Sequence, residues 1–263
     1  MKLLMLHGYT QNGDVFNRKL RRLTNRLDQA FPGVTYEWPD GPIHLHTSDI
    51  PEHGDRTLAA DCPDELDLRA WFSLRYAQDP PGGLLQSLDV IAEVLKAKGP
   101  FDGVIAFSQG TVIASTVAAL LQGKSRHQAF RKAREGSLEC VPYPESFLEI
   151  RHLPFKFAIL YAGRVGRGNF YDWWYNPRIT TPFCHFVGLL DPTVDHEERD
   201  AALRKLPGYP GSRIIVHAGT HHVPTDKVNV DAAAAFILTL LGSNHKPAFS
   251  ADQPVLSRRT MIA

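Results

Sequence analysis

The run Val104-Ile105-Ala106-Phe107 ends on a serine, Ser108, and passes without a linker into Gln109-Gly110-Thr111-Val112-Ile113-Ala114. Four unbroken apolar residues followed at once by a helical stretch suit a strand that is covered on both faces. Sheets covered on both faces are built mainly of parallel strands, whose return crossovers need a dozen or more residues and are usually helical. The rest of the chain repeats this theme. Apolar runs at 3–6, 34–38, 157–161, 183–187 and 213–217 have strand length. Between them, Phe16, Leu20, Leu23, Leu27 and Phe31 recur at helical spacing, as do Leu84, Leu88, Ile91 and Leu95 ahead of Gly99. The expectation is an α/β fold: a mostly parallel, doubly wound sheet flanked by helices and joined by right-handed crossovers.

Two stretches, 39–81 and 123–154, break the alternation and are expected to lie outside the sheet as lid-like insertions. The first is rich in prolines, acids and histidines around an apolar centre at Trp71 and Phe72. Residues 1–242 then form a single domain, and 243–263, polar and without apolar period, read as a flexible tail.

A length of 263 residues suffices for one large core, and Lys+Arg 29 against Asp+Glu 28 leaves a net charge of +1. So weak a field gives no support for nucleic-acid or membrane-surface partners. Three cysteines, Cys62, Cys140 and Cys184, form no CxxC pair and argue against a disulfide framework or a cysteine-rich zinc site. The first apolar run is too short for a signal sequence or a membrane span, so a soluble, cytoplasmic protein is expected.

The chemistry centres on Ser108. A serine at a tight strand-to-helix turn holds its Oγ above the sheet, and small neighbours, here Ala106 and Gly110, relieve the crowding. Serine is also a common helix N-cap, so its partners must decide between the two roles. A serine hydroxyl needs a base to take its proton, and the base needs a carboxylate to set its tautomer. Asp191 follows the run at 183–187, and His221 and His222 follow the run at 213–217, in the nucleophile–acid–histidine order. Asp195 competes with Asp191, which lies nearer its strand end, and spacing alone leaves His221 and His222 even. Acyl transfer also needs amide donors for an oxyanion. The amide of Gln109 is one, and Leu6-His7-Gly8-Tyr9-Thr10 offers the other through Tyr9 or, second, Thr10.

Together these pieces resemble the FSH1-type serine hydrolases, which include OVCA2-like hydrolases, within the α/β-hydrolase superfamily. The resemblance rests on Leu6-His7-Gly8-Tyr9-Thr10-Gln11-Asn12, Trp38-Pro39-Asp40-Gly41-Pro42, Arg69-Ala70-Trp71-Phe72, Phe107-Ser108-Gln109-Gly110, Gly188 to Val194, and Gly219 to Pro224. The family's closing GGHxVP pattern places the histidine on His221, with Thr220 replacing the second glycine, and its GFSQG becomes AFSQG here. The resemblance implies hydrolysis of a small-molecule ester or thioester through an acyl-serine, without metal or cofactor. Some fungal relatives imply a finer role, release of a polyketide or fatty acyl chain from an acyl carrier protein in secondary metabolism. Trp71, Phe72, Tyr171, Trp173 and Trp174, with Phe170 and Tyr175, are then candidate lining of an acyl site.

Two rivals are weaker. His44-Leu45-His46 with Asp49 has metal-ligand spacing, but it lies between Pro42 and Pro51 and lacks an adjacent Asp-His completion. A hydrolase fold turned binding module, lyase or isomerase would make little use of Ser108.

Overall fold

The computed structural model describes residues 1–46, 49, 67–73, 83–136, 140–163, 171–193 and 210–241. Its elements are β1 (Lys2–Leu6), α1 (Gly13–Ala30), β2 (Thr35–Glu37), β3 (Ile43–His44), β4 (Arg69–Ala70), α2 (Leu84–Lys98), β5 (Gly103–Phe107), α3 (Gln109–Leu120), α4 (Lys124–Gly136), β6 (Phe157–Tyr161), α5 (Asp172–Tyr175), β7 (Phe183–Gly188), β8 (Arg213–His217) and α6 (Lys227–Leu241). Six strands form one sheet in the order β2-β1-β5-β6-β7-β8, and every pairing in it is parallel.

Alternation along each strand divides the core in two. Leu4, Leu6, Val104, Ala106, Ala158 and Leu160 pack with α2 and α3, through residues such as Leu88, Ile91 and Val117. Leu3, Met5, Ile105, Phe157 and Ile159 pack with Phe16, Leu20 and Leu23 of α1 and Ala233, Phe236 and Ile237 of α6. Both faces are therefore covered, which is why the strands read as unbroken apolar runs. The edge strands are the exceptions, with Thr35 of β2 exposed and Ile214 and Val216 of β8 about half exposed. Helix α1 starts at Asn12, whose side chain accepts the Val15 amide at 2.8 Å, and Arg26 ties it to Asp231 of α6 at 2.7 Å.

The strand order reverses between β1 and β5, since β2 follows β1 on one side while β5 to β8 proceed on the other. In open α/β sheets such a switch point opens a crevice at the carboxyl ends of the two strands. Backbone strain gathers at that edge. The non-glycine residues with positive φ among those described are Thr10, Ser108 and Ala162, at 62°, 50° and 49°, just past the ends of β1, β5 and β6.

The run at 34–38 forms a strand only over Thr35–Glu37, and Phe31 falls outside α1 as its C-cap. The second expected interruption contains the helix α4, whose one fully buried side chain is an arginine. The Arg126 guanidinium donates to the carbonyls of Trp173 at 2.8 Å and Pro177 at 2.7 Å and to the side chain of Gln122. Burial pulls its pKa down to about 10. An apolar-period reading misses a helix seated on an arginine. Among the described residues no helix is long and apolar enough to cross a membrane. The tail at 243–263 lies outside the described residues.

Candidate active site

Ser108 closes β5 with its N–H donated to Tyr161 O at 2.9 Å, and its φ of 50° and ψ of −117° turn the chain at once into α3. That turn requires Gly110: a Cβ there would lie 2.5 Å from the carbonyl oxygens of both Leu6 and His7, backbone atoms that cannot step aside. The elbow is thereby packed hard against the end of β1. Ser108 makes no side-chain cap to α3, so the N-cap alternative does not describe its hydroxyl.

The Ser108 Oγ instead meets His221 Nε2 at 2.8 Å, and His221 Nδ1 meets Asp191 Oδ2 at 2.7 Å. Asp191 comes from the loop after β7 and His221 from the loop after β8. Strands β7 and β8 are neighbours, and Leu190 N donates to Gly219 O at 3.1 Å, so the two loops lie side by side. Asp191 Oδ1 accepts the Thr193 amide at 2.9 Å and the Thr193 hydroxyl at 2.8 Å. Burial alone would raise the Asp191 pKa, but the His221 contact and the two Thr193 bonds outweigh it and bring it to about 2. A carboxylate so held stays ionised and fixes the imidazole with Nδ1 protonated and Nε2 free to accept from the serine.

His222 takes no part in this chain. Its ring lies edge-on to His217 at 5.3 Å and its Nδ1 faces Thr220 Oγ1 at 3.4 Å. Asp195 lies outside the described residues.

Gln109 provides the first amide of α3, and the first amides of a helix have no intrahelical acceptor. Opposite it, the loop after β1 turns at Gly8, where Gln11 N donates to Gly8 O at 3.3 Å and Gly8 N donates to Gln11 Oε1 at 3.3 Å. Tyr9 anchors this loop through its hydroxyl, which donates to Asp49 O at 2.9 Å. The carboxyl ends of β1 and β5 thus bring the Tyr9 and Gln109 backbones to the two sides of the switch point.

The aromatic residues expected to line an acyl site are placed otherwise. Trp71 and Trp174 are fully buried, and Phe72, Tyr171, Trp173 and Tyr175 are buried with them in the core on the α2–α3 side. Trp71 donates its indole N–H to His7 O at 2.9 Å, and Trp173 donates its own to Val141 O at 3.0 Å. Trp71 and Trp173 thus spend their polar handles on backbone carbonyls, Trp174 Nε1 meets no hydrogen-bond partner among the described residues, and side chains packed in this way do not form an open acyl wall. Phe170 lies outside the described residues. Among the described residues no group of three His, Cys, Asp or Glu is placed to hold a metal, and His44 faces Asp67 at 3.4 Å.

Sequence reasoning missed Thr193, His7 as a side chain, Gly41 and Thr111. His7 is buried between loops: its Nε2 accepts the Gly41 amide at 2.9 Å and its Nδ1 reaches Gly8 O at 2.7 Å. The signal for it was the His-Gly pair itself, read for its glycine only.

A parallel sheet with a serine elbow at its switch point, and an acid and a histidine on the loops after its last two strands, defines the α/β-hydrolase fold. A crystal structure of Zea mays acyl-protein thioesterase 2 has the same fold, with a TM-score of 0.56 at 17% identity over 92% of this chain and 94% of that one. The chain belongs to the FSH1 serine hydrolases: the family model described as serine hydrolase (FSH1) matches residues 1–233. It is similar to esterase OVCA2 of Danio rerio, with 28% identity over 238 residues, 85% of this chain and 90% of the relative. It is also 28% identical over 231 residues to a Schizosaccharomyces pombe protein named dihydrofolate reductase, covering 87% of this chain and 45% of that protein. The chain thus spans about half the length of the fission yeast relatives it matches.

Proposed function

We propose that the protein hydrolyses carboxylic esters or acyl thioesters through an acyl-enzyme on Ser108. The observation that carries this reading is the unbroken chain Ser108 Oγ, His221, Asp191, with contacts of 2.8 and 2.7 Å. Ser108 Oγ attacks the acyl carbonyl carbon as its proton passes to His221 Nε2, and Asp191 stabilises the imidazolium. The oxyanion is received by the amides of Gln109 and Tyr9, each donor worth about 2.7–4 kcal/mol to the transition state. Collapse of the tetrahedral species expels the alcohol or thiol, which takes the proton from His221. Water then attacks the acyl-serine, giving its proton to His221, and the acid leaves as the serine recovers its proton.

The finer reading is release of a long acyl chain from a carrier protein. It is supported by the length of the insertion at 39–81, of which Asp49 O accepts the Tyr9 hydroxyl at 2.9 Å. Both levels are tested together. A fluorophosphonate should label Ser108 and fail to label Ser108→Ala. A chain-length series of acyl thioesters and p-nitrophenyl esters should show a steep preference for long thioesters. An unlabelled Ser108 in folded protein would refute the hydrolase, and a flat series would refute the release role alone.

A further inference from the structure

Each amide assigned to the oxyanion belongs to a peptide whose carbonyl is clamped from behind. In a trans peptide the C=O and the following N–H point in opposite directions, so fixing the oxygen aims the donor. Gly8 O, in the peptide that carries the Tyr9 N–H, is met by His7 Nδ1 at 2.7 Å and by the Gln11 amide at 3.3 Å. Ser108 O, in the peptide that carries the Gln109 N–H, accepts the Thr111 amide at 2.9 Å and the Thr111 hydroxyl at 2.6 Å. We infer that His7 and Thr111 are positioning residues that set the two oxyanion donors from behind, one on each side of the switch point. This rests on the hydrolase reading above and goes beyond it by assigning roles to two side chains that touch no reacting atom.

The tautomer of His7 follows from its partners. Gly41 N–H can only donate, so Nε2 accepts and Nδ1 carries the proton that goes to Gly8 O. Burial holds the ring neutral, pushing its pKa down to about 4. The insertion supplies the brace: Trp71 stacks on the His7 ring at 4.9 Å and donates to His7 O at 2.9 Å. Trp71 is itself held from the other side of the site, since its backbone N–H donates to Gln109 Oε1 at 2.8 Å while Gln109 Nε2 donates to Phe72 O at 2.7 Å. One buried aromatic thus joins the His7 clamp to the side chain of Gln109, the residue that carries the other donor. Hydrogen bonds at the carbonyl end also polarise the peptide and strengthen its N–H as a donor.

The test uses the full chain with active sites counted by fluorophosphonate. Thr111→Val keeps the shape and removes the hydroxyl, whereas Thr111→Ser keeps the donor. Per labelled site, Thr111→Val should lose about tenfold in kcat with KM within about twofold, and its affinity for a trifluoromethyl ketone should fall by the same factor. Thr111→Ser should stand close to wild type. His7→Asn, whose amide nitrogen can occupy the place of Nδ1, should retain far more kcat per site than His7→Leu. A structural role alone would reduce the number of labelled sites and leave kcat per site and ketone affinity unchanged. That result, or equal losses in Thr111→Val and Thr111→Ser, overturns the inference while the hydrolase reading stands. A wild-type chain inert to the phosphonate overturns both.

Discussion

Thr193 holds Asp191 with both of its donors, amide and hydroxyl, at 2.9 and 2.8 Å on a single carboxylate oxygen, leaving the other oxygen to His221. The acid is thus oriented by its own loop before the histidine meets it. Asp191→Asn should lower kcat by about 10⁴, because the amide can favour the wrong imidazole tautomer. Thr193→Ala should cost only severalfold, since the His221 bond remains. Steady-state kinetics on an activated ester separates the two; a ranking with Thr193→Ala the more severe would remove Asp191 from its role.

Replacing Ser108 or His221 by alanine should lower kcat by about 10³ or more with the far-UV circular dichroism unchanged. Because the two side chains act as one unit, the double variant should be little worse than either single one. Activity retained in both single variants would dismantle the catalytic assignment.

Acid should destabilise the fold through its buried imidazoles. Burial pushes His7 and His185 each down to about 4, below the ordinary value of 6.5. The unfolded chain therefore binds more protons than the folded one between those values. The stability from keeping these rings neutral is complete above about pH 6.5 and is lost as pH falls toward 4. The slope is about 1.4 kcal/mol per pH unit for each ring. His185 Nε2 has no hydrogen-bond partner among the described residues, so His185→Leu should flatten the dependence of the melting temperature on pH in this window. An unchanged slope would contradict the assignment.

Gly110→Ala should be severe although it adds one methyl group. The added carbon meets two backbone carbonyl oxygens at 2.5 Å, so either the elbow or the end of β1 must move. We expect a loss of at least about 3 kcal/mol, at or above the usual cost of overpacking, read by urea denaturation. A variant of wild-type stability would mean that the elbow and β1 are not in hard contact.

The sheet was legible because its inner strands are apolar on both faces, a pattern that only two covered faces explain, and β6 falls on the residues where its apolar run places it. The loops bearing Asp191 and His221 could be found because strand ends are fixed by those same runs. What was not legible depends on contacts between segments far apart in the chain. Nothing local in Trp71 distinguishes a wall of a substrate site from a brace against His7; hydrophobicity reports burial and not what lies on the far side. Helix α4 escaped because its buried anchor is Arg126, and an arginine adds nothing to an apolar period. Thr193 and Thr111 escaped because short-range side-chain bonds to a carboxylate or carbonyl leave no periodic trace.

The short ladder of β3 and β4 pairs Ile43 with Ala70 and His44 with Arg69, and the Leu45 amide extends it to Leu68 O at 2.8 Å. The two strands form a neck that joins residues 43–45 to residues 68–70. Whatever is threaded beyond such a neck can be lengthened or exchanged for little more than loop-closure entropy, about 0.6 kcal/mol for each doubling of length. A chain built this way can vary that segment while Ser108, His221 and Asp191, which stand at the ends of other strands, keep their mutual geometry.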